Sequence, residues 1–269
     1  MRNRILTLKE IQYIIRRYHI LIDPFSVDEL GRLNVNGDVK ISDTKLKKLP
    51  LKFGKVSGNF HCHLNRLTTL QGVPYSVGGD FNCSNNKLKS LKHASKLVGG
   101  DFFCQENTLE KLNGVPTIIN GNFNCFLNNL KNLKNGPTKV KKSYYAYGNQ
   151  LTSLEGSPLL VGKSFHVVDN QLLNLIGLPR YIGELFSFDR STNSINLGSN
   201  NCNVKKIEIQ DQLGENNKNK ILPRIIFENQ KSLPIIFKYF SYLELYNEAE
   251  ILNIENLNCI LKEINDGLQ

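Results

Sequence analysis

Four of the six cysteines recur at a fixed spacing that could support metal binding or thiol redox chemistry. They follow one another every 21 residues, as Cys62, Cys83, Cys104 and Cys125. In stacked coils, equivalent positions lie about 4.8 Å apart, so the thiols would form a row. The same column continues as Ala146 and Val167, which neither bind metals nor oxidise. We therefore interpret the column as small buried core residues, and we predict no metal site and no cofactor.

A second candidate for metal chemistry is the His61-Cys62-His63 segment. On a β-strand, residues i and i+2 point to the same face, so the two imidazoles would lie side by side with Cys62 turned away. Two ligands can hold a divalent metal only loosely, and a physiological site needs a third or fourth. The alternative interpretation, which we favour, is a histidine pair that faces solvent or a partner.

The element that positions these side chains is a tandem repeat of 21 residues. Seven units cover about Gly37 to Gly183, and within most of them the pattern F-x-C-x-x-N-x-L-x-x-L recurs. The alternating apolar positions predict a short strand with one face inward. The Asn column is suited to hydrogen-bond the backbone of neighbouring coils. Later in most units, a proline predicts an extended or turn-like return rather than a helix.

The pattern resembles the leucine-rich repeat, L-x-x-L-x-L-x-x-N-x-L, with Phe and Cys in place of the second and third Leu. The stretch NQLTSLEGSP, residues 149–158, is similar to a phrase of the short bacterial subfamily. The whole array looks most like leucine-rich repeat proteins of bacteria and tailed bacteriophages. This resemblance implies an α/β solenoid of about seven coils, with short parallel strands on a concave face, and a protein-binding scaffold.

The two ends of the array predict capping segments, because a solenoid must cover its terminal apolar faces. Thr7 and Glu10 form a capping box that opens a helix reaching about Tyr18, so residues 1–36 are interpreted as a helical N-terminal cap. Residues 37–183 form the solenoid. Residues 184–269 form a mixed α/β module, with a strand over 204–210, a polar loop over 211–220, helices over about 233–242 and 248–265, and a helix stop at Gly267. This module either only caps the array or carries a separate interaction.

The outward positions of the predicted strands give the candidate binding residues. They carry aromatic and histidine side chains, at His61, His63, Phe103, Phe126, Tyr145, Tyr147 and His166. A contiguous patch of exposed aromatic side chains usually marks a binding surface. The alternative is that a flanking segment, such as the C-terminal module, folds over them. We expect a protein partner bound through the concave face, either a host factor or a component of a virion.

The charge of the chain keeps a polyanionic partner open as an alternative. The formal net charge is +10, and residues 37–183 carry 19 Lys and Arg against 8 Asp and Glu. Most of these lysines fall on the return side, whereas nucleic-acid binding by stacking requires basic and aromatic residues on one face. Nucleic-acid association through the Lys-rich return face is therefore the second hypothesis.

Membrane, secretory and enzymatic functions are not indicated by the sequence. No apolar run approaches the roughly 18 residues of a membrane span, and the N-terminal segment is amphipathic. Unpaired cysteines suit a reducing compartment, which predicts a cytoplasmic protein, in the host cytoplasm or the virion if it is viral. The sequence lacks the nucleophile-elbow, P-loop, dinucleotide-binding and H-E-x-x-H motifs, so we predict no catalytic residues.

Overall fold

The computed structural model describes residues 4–211, 221–247 and 249–267. The chain forms two compact units, Met1–Asn129 with Asn135–Pro137, and Leu130–Lys134 with Thr138–Gln269. Each unit is built from β-solenoid coils, and each coil contributes two short strands. The strand around the aromatic column is called the first strand, and the strand around a later Val or Ile is called the return strand. The predicted solenoid fold with parallel strands is confirmed.

The first unit contains two sheets. The first-strand sheet consists of β1 Leu21–Ile22, β4 Val39–Lys40, β6 Phe60–His61, β8 Phe81–Asn82, β10 Phe102–Phe103 and β12 Phe123–Asn124, paired in that order. The return-strand sheet consists of β2 Phe25–Val27, β3 Leu33–Val35, β5 Phe53–Val56, β7 Ser76–Val77 and β9 Leu97–Val98, also in that order. The strand β11 Ile118–Ile119 follows in the next coil. Among these pairs, only β1–β4 and β2–β3 are antiparallel. The N-terminal segment therefore contributes an antiparallel edge strand to each sheet.

The N-terminal helix α1 spans Leu8–Arg17, as its capping box predicts. The Thr7 side chain accepts a hydrogen bond from the Glu10 N–H, and the Glu10 carboxylate accepts one from the Thr7 N–H. Ile11 is the helix residue that is fully buried, with 1% of its surface exposed. This geometry satisfies N–H groups that a helix start would otherwise leave unpaired.

The second unit also contains coils with two-residue strands, followed by two long strands. Its strands are β13 Lys139–Val140, β14 Tyr144–Tyr145, β15 Leu160–Val161, β16 Phe165–His166, β17 Tyr181–Asp189 and β18 Asn203–Gln210. The nine-residue β17 pairs with β15 through Tyr181 and Ile182, and with β16 through Phe186 and Ser187. The strand β18 pairs in parallel with β17. Coil geometry therefore continues past Gly183, where the sequence pattern fades.

The C-terminal residues form helices and 3-10 turns, and the segment 230–239 packs against β18. They are α2 Arg224–Glu228, a 3-10 turn Gln230–Ser232, α3 Leu233–Tyr239, a 3-10 turn Phe240–Tyr242 and α4 Ile254–Asn265. The predicted strand over 204–210 corresponds to β18, and the predicted helix near 233 corresponds to α3, so both are confirmed. The helix α2 was not predicted. Gly267 lies just after α4 with φ of +113°, which suits the predicted helix stop. Apart from Asp211, the predicted loop 211–220 lies outside the described residues. Among the described residues, no helix has the length and apolar composition needed to cross a membrane.

The last helix starts later than the sequence predicts. The predicted start, Glu248, lies outside the described residues. The helix α4 begins at Ile254, because the Asn253 side chain accepts the Asn256 N–H and acts as the N-cap. Upstream, the Asn247 side chain accepts the N–H groups of Ala249 and Ile251 and holds a turn. Asn side chains that bond nearby backbone compete with helix in this way.

The core of each unit is a stack of aromatic rings at the inward face of the first strands. In the first unit the centroids of Phe81 and Phe102 are 5.0 Å apart, and those of Phe102 and Phe123 are 5.7 Å apart. In the second unit Tyr144 and Phe165 are 5.2 Å apart. These rings are fully buried. Large buried rings supply much of the apolar stabilisation that holds one coil on the next.

The Asn column bonds each coil to the one before it, as predicted. The Asn107 Nδ2 lies 3.1 to 3.2 Å from the carbonyl oxygens of Cys83, Cys104 and Gln105, and its Oδ1 accepts the Leu88 N–H at 3.0 Å. One side chain thus satisfies buried backbone groups of two coils. Equivalent bonds are made by Asn65, Asn86, Asn128, Asn149 and Asn170.

A second ladder of side chains in the first unit was not predicted. It occupies the residue after each coil-opening glycine, and the Oδ1 atoms of its first four members each accept the N–H of the equivalent residue one coil later. Its members are Asp38, Asn59, Asp80, Asp101 and Asn122. The recurring Gly-Asp or Gly-Asn dipeptide is the sequence signal for this ladder.

Candidate functional site

Strand alternation places the predicted binding residues on the outward face of the first strands. Phe60 and Cys62 are fully buried, whereas His61 and His63 between and beyond them are partly exposed. The backbone of these positions is fixed by parallel pairing on both sides, as Phe103 shows between Asn82 and Asn124. The backbone that carries these side chains is therefore held in a fixed register. We call this surface the outward face.

In the first unit the outward face contains His61, His63, Phe103 and Phe126, all partly exposed. The His61 and His63 rings form an edge-to-face pair with centroids 5.7 Å apart. Gln105 lies on the same face, and its Oε1 is buried without a hydrogen-bond partner in the described part of the chain.

In the second unit the outward face contains Tyr145, Tyr147 and His166, which are partly exposed. The Tyr145 and His166 rings are parallel within 5°, with centroids 5.0 Å apart. The His166 Nδ1 lies 2.8 Å from the Ser187 Oγ, which fixes the imidazole. Burial lowers the pKa of His166, and the nearby Glu208 carboxylate opposes that effect. The stack is thus a well-ordered aromatic surface with a largely neutral imidazole at neutral pH.

Two residues that extend this surface were not predicted. Ser187 and Glu208 continue the His166 column in register across β17 and β18. The sequence signal for them is Phe186 and Phe188, which keep the alternation after the Asn and Leu columns are lost. Of the seven predicted residues, the structure brings together His61 with His63, and Tyr145 with His166.

The cysteine column is core, as predicted. Cys62, Cys83, Cys104 and Cys125 have 0% exposed surface. Burial raises the pKa of the Cys62 thiol to about 12 and raises those of Cys83 and Cys104 well above their ordinary value. The Cys104 thiol donates to the Asn124 carbonyl at 3.2 Å. Thiols held protonated in this way are poor nucleophiles and poor metal ligands.

The described residues contain no group of three or more His, Cys, Asp and Glu side chains placed to hold a metal ion. The His61–His63 pair therefore has no further protein ligand of these types within that part of the chain. A metal bound there would rely on two imidazoles and water, which is the loose arrangement considered above.

The lysines that the sequence assigns to the return side are exposed. They are Lys87, Lys89 and Lys92 in the first unit and Lys131, Lys134, Lys139, Lys141 and Lys142 in the second. The Lys134 Nζ pairs with Glu155 at 2.7 Å, on the surface. Lys139 is the outward residue of β13, with Leu160 and Tyr181 at the equivalent positions of β15 and β17.

Comparison of the chain with models of known protein families and with curated protein sequences finds no match.

Proposed function

We propose that this chain is a non-enzymatic scaffold that binds another protein through the outward face of its first strands. The observation that carries the proposal is the parallel stack of Tyr145 on His166, partly exposed and fixed by Ser187. Aromatic side chains that are already ordered lose little conformational entropy when a partner covers them. Tyrosine is also enriched among the residues that dominate binding energies.

The position of the C-terminal helices supports this proposal. The alternative was that the C-terminal module folds over the aromatic side chains. In the second unit, α3 and the turn Gln230–Ser232 pack against β18, and β17 and β16 lie between β18 and β14. Tyr145 and His166 keep part of their surface exposed to solvent.

In the first unit the outward face offers hydrogen-bonding groups beside its aromatic side chains. The Gln105 Oε1 and the Nδ1 atoms of His61 and His63 are buried without partners among the described residues. Most buried polar atoms of folded proteins have a partner, and these three would gain one from a bound chain only if their side chains rotate, because the atoms have almost no exposed surface. Phe103 and Phe126 supply the apolar area of this face.

The biological setting is proposed from the resemblance to short leucine-rich repeats of bacteria and tailed bacteriophages. It favours a chain encoded by a bacterium or a phage. The partner would be a host protein in the cytoplasm or a component of the virion.

The proposal is tested by affinity purification from the native host or particle, followed by mass spectrometry. Tyr145→Ala and Phe103→Ala should each lower the recovery of a specific partner at least tenfold without lowering the melting temperature. The matched control is Tyr181→Ala, because Tyr181 is a 41% exposed tyrosine on a return strand. Equal recovery with wild type, Tyr145→Ala and Phe103→Ala would show that the outward face is not the binding site.

The second candidate function is nucleic-acid association through the exposed lysines of the return side. It is favoured by Lys139, because this lysine lies in the same outward column as Tyr181 and so places a basic and an aromatic side chain on one face. Binding through phosphates predicts an affinity that falls steeply with salt. A gel-shift titration of single-stranded and double-stranded DNA and RNA at two salt concentrations tests it. No shift, or a shift that does not depend on salt, would remove this candidate.

A further inference from the structure

The exposed side of the N-terminal helix α1 carries apolar and basic side chains. Leu8 and Tyr13 are 56% and 60% exposed, whereas Ile11 is buried. At about 3.6 residues per turn, Lys9 and Arg16 lie between Leu8 and Tyr13 around the helix axis. Both basic residues are exposed, and neither makes an ion pair or a side-chain hydrogen bond within the described ranges. We call Leu8, Lys9, Tyr13 and Arg16 the α1 face.

A second exposed apolar surface lies in the C-terminal module of the second unit. Its apolar side chains, each more than half exposed, are Tyr242, Ile251 and Ile254. Two hydrogen bonds hold the stretch before α4 against the start of this helix. The Asn253 N–H donates to the Leu245 carbonyl at 2.8 Å, and the Asn256 Nδ2 donates to the Leu243 carbonyl at 2.6 Å. The three apolar side chains therefore lie on adjoining stretches of chain.

The charge of this second surface is negative. Residues 241–261 contain four Glu and no Asp, Lys or Arg. Three of these glutamates, Glu244, Glu250 and Glu255, are exposed and make no ion pair in the part of the chain that the structure describes. We call these three glutamates, with the three exposed apolar residues beside them, the C-terminal face.

The two faces are opposite in charge and both expose large apolar side chains. The chain as a whole has a formal net charge of +10, so two copies repel each other across most of their surface. An acidic segment without basic residues instead attracts the basic α1 face of another copy. Terminal caps of a solenoid ordinarily present a polar outer surface, which keeps copies apart. Exposed apolar side chains on both terminal segments are therefore suited to contact another molecule.

We propose that two copies of this chain associate head to tail, with the α1 face of one copy on the C-terminal face of the next. The apolar side chains of the two faces pack together, while Lys9 and Arg16 approach the glutamates. The contact joins two different surfaces, so each copy keeps one face available for a further copy. It does not involve the outward face, so its test is independent of the proposed function.

Sedimentation equilibrium of the full chain over a range of concentrations tests this association. We expect the average mass to rise with concentration, with a Kd on the order of 100 µM, because the contact is small. Lys9→Glu and Glu250→Lys should each weaken the association at least tenfold, since each replaces an attraction with a repulsion. The matched controls are Lys52→Glu and Glu110→Lys, which reverse exposed charges of the first unit outside both faces. These controls should keep the wild-type affinity, and unchanged melting temperatures show that all four variants fold.

A mixture of the two weakened variants distinguishes a head-to-tail contact from other arrangements. Lys9→Glu keeps an intact C-terminal face, and Glu250→Lys keeps an intact α1 face. The mixture should therefore form a one-to-one complex with about the wild-type affinity. Association lost in only one of the two variants would indicate a contact between like faces and overturn the proposal.

Three further results would overturn the head-to-tail contact. They are a monomer at every concentration, an association that neither reversal weakens, and a mixture that forms no complex. Vesicles containing phosphatidylserine provide a separate check on the α1 face. A monomeric chain that binds these vesicles, and loses that binding in Lys9→Glu, would show that the α1 face contacts lipid rather than a second copy.

Discussion

The Asn59 side chain occupies the space that a side chain on Gly79 would need. A Cβ on Gly79 would lie 2.3 Å from the Asn59 Oδ1, which is far inside van der Waals contact. The same Oδ1 accepts the Asp80 N–H at 2.8 Å, so Asn59 is held in place by the next coil. The glycine that opens a coil and the polar residue of the coil before it are therefore one structural unit.

This relationship predicts strong coupling between the two positions. Gly79→Ala should lower the free energy of unfolding by about 2 to 4 kcal/mol, because the new methyl group overlaps Asn59. In the Asn59→Ser background the same change should cost about 1 to 2 kcal/mol less. Urea denaturation of the four proteins of this double-mutant cycle measures the coupling. Additive effects would show that Asn59 does not impose the glycine.

The Asn ladder predicts a large cost for a single amide. Asn107→Ala should lower the free energy of unfolding by about 3 kcal/mol, since it leaves the Leu88 N–H and buried carbonyls without a partner. Asn129→Ala is the control, because Asn129 is exposed. Denaturation midpoints measure both, and equal losses would contradict the role of the ladder.

Backbone strain at the turn after each first strand predicts a stabilising change. Leu64 adopts φ of +54° and is 51% exposed. The equivalent residue in a later coil is Gly148, which has a similar φ of +62°. Leu64→Gly should raise the free energy of unfolding by about 0.5 to 1 kcal/mol. Leu97→Gly, in the extended β9, should lower it by a similar amount. Thermal unfolding of both variants compares the signs, and a loss of stability in Leu64→Gly would refute the strain argument.

Burial of Asp189 predicts a pH-dependent stability. Desolvation raises the pKa of its carboxyl from 3.8 to about 6, despite hydrogen bonds from the N–H groups of Asn170 and Asp169. The folded state then binds the proton more tightly than the unfolded state, so this carboxyl costs stability progressively as pH rises from about 4 to about 6. The free energy of unfolding of Asp189→Asn, relative to that of the wild type, should therefore be higher at pH 7 than at pH 4 by on the order of 2 kcal/mol. Asp169→Asn, at an exposed neighbour, should show a much smaller gain in urea denaturation at the two pH values, because its charge is the smallest of the causes that act on the pKa of Asp189.

Thiol accessibility predicts a single reactive cysteine. Cys259 on α4 is exposed, whereas the other five cysteines are buried. The native chain should react rapidly with one equivalent of a thiol-specific chromogenic reagent, and the unfolded chain with six. Cys259→Ser should abolish the rapid reaction. Rapid modification of Cys62 or Cys104 would contradict their position in the core.

Periodicity predicted the coils because the columns that repeat are those that contact the neighbouring coil. Asn107 and Phe102 recur since each must fit the same surroundings one coil away. The decay of the pattern after Gly183 concealed the next coil, because β17 and β18 are held by a long parallel pairing that requires only Phe186, Phe188 and a few aliphatic residues. The late start of α4 also escaped prediction, since it depends on the local bonds of Asn253.

For the candidate site, strand alternation was sufficient to predict which residues point outward, and His61, His63, Tyr145 and His166 all do so. The neighbouring positions of His61 and His63 follow from strand alternation, whereas the ring geometries of the His61–His63 and Tyr145–His166 pairs could not be predicted, because they depend on side-chain rotamers. The stack of Tyr145 on His166 needs Ser187, which lies where the columns had faded.

The Asn ladder also governs how a gene of this kind can change in length. Asn86 bonds the Cys62 carbonyl and the Leu67 N–H, whereas Asn65 bonds the equivalent Ile41 carbonyl and Leu46 N–H. Loss of residues 58–78 would therefore present Asn86 with an equivalent set of partners. Recombination between neighbouring repeats can therefore add or remove whole coils while each remaining ladder Asn keeps an equivalent set of partners.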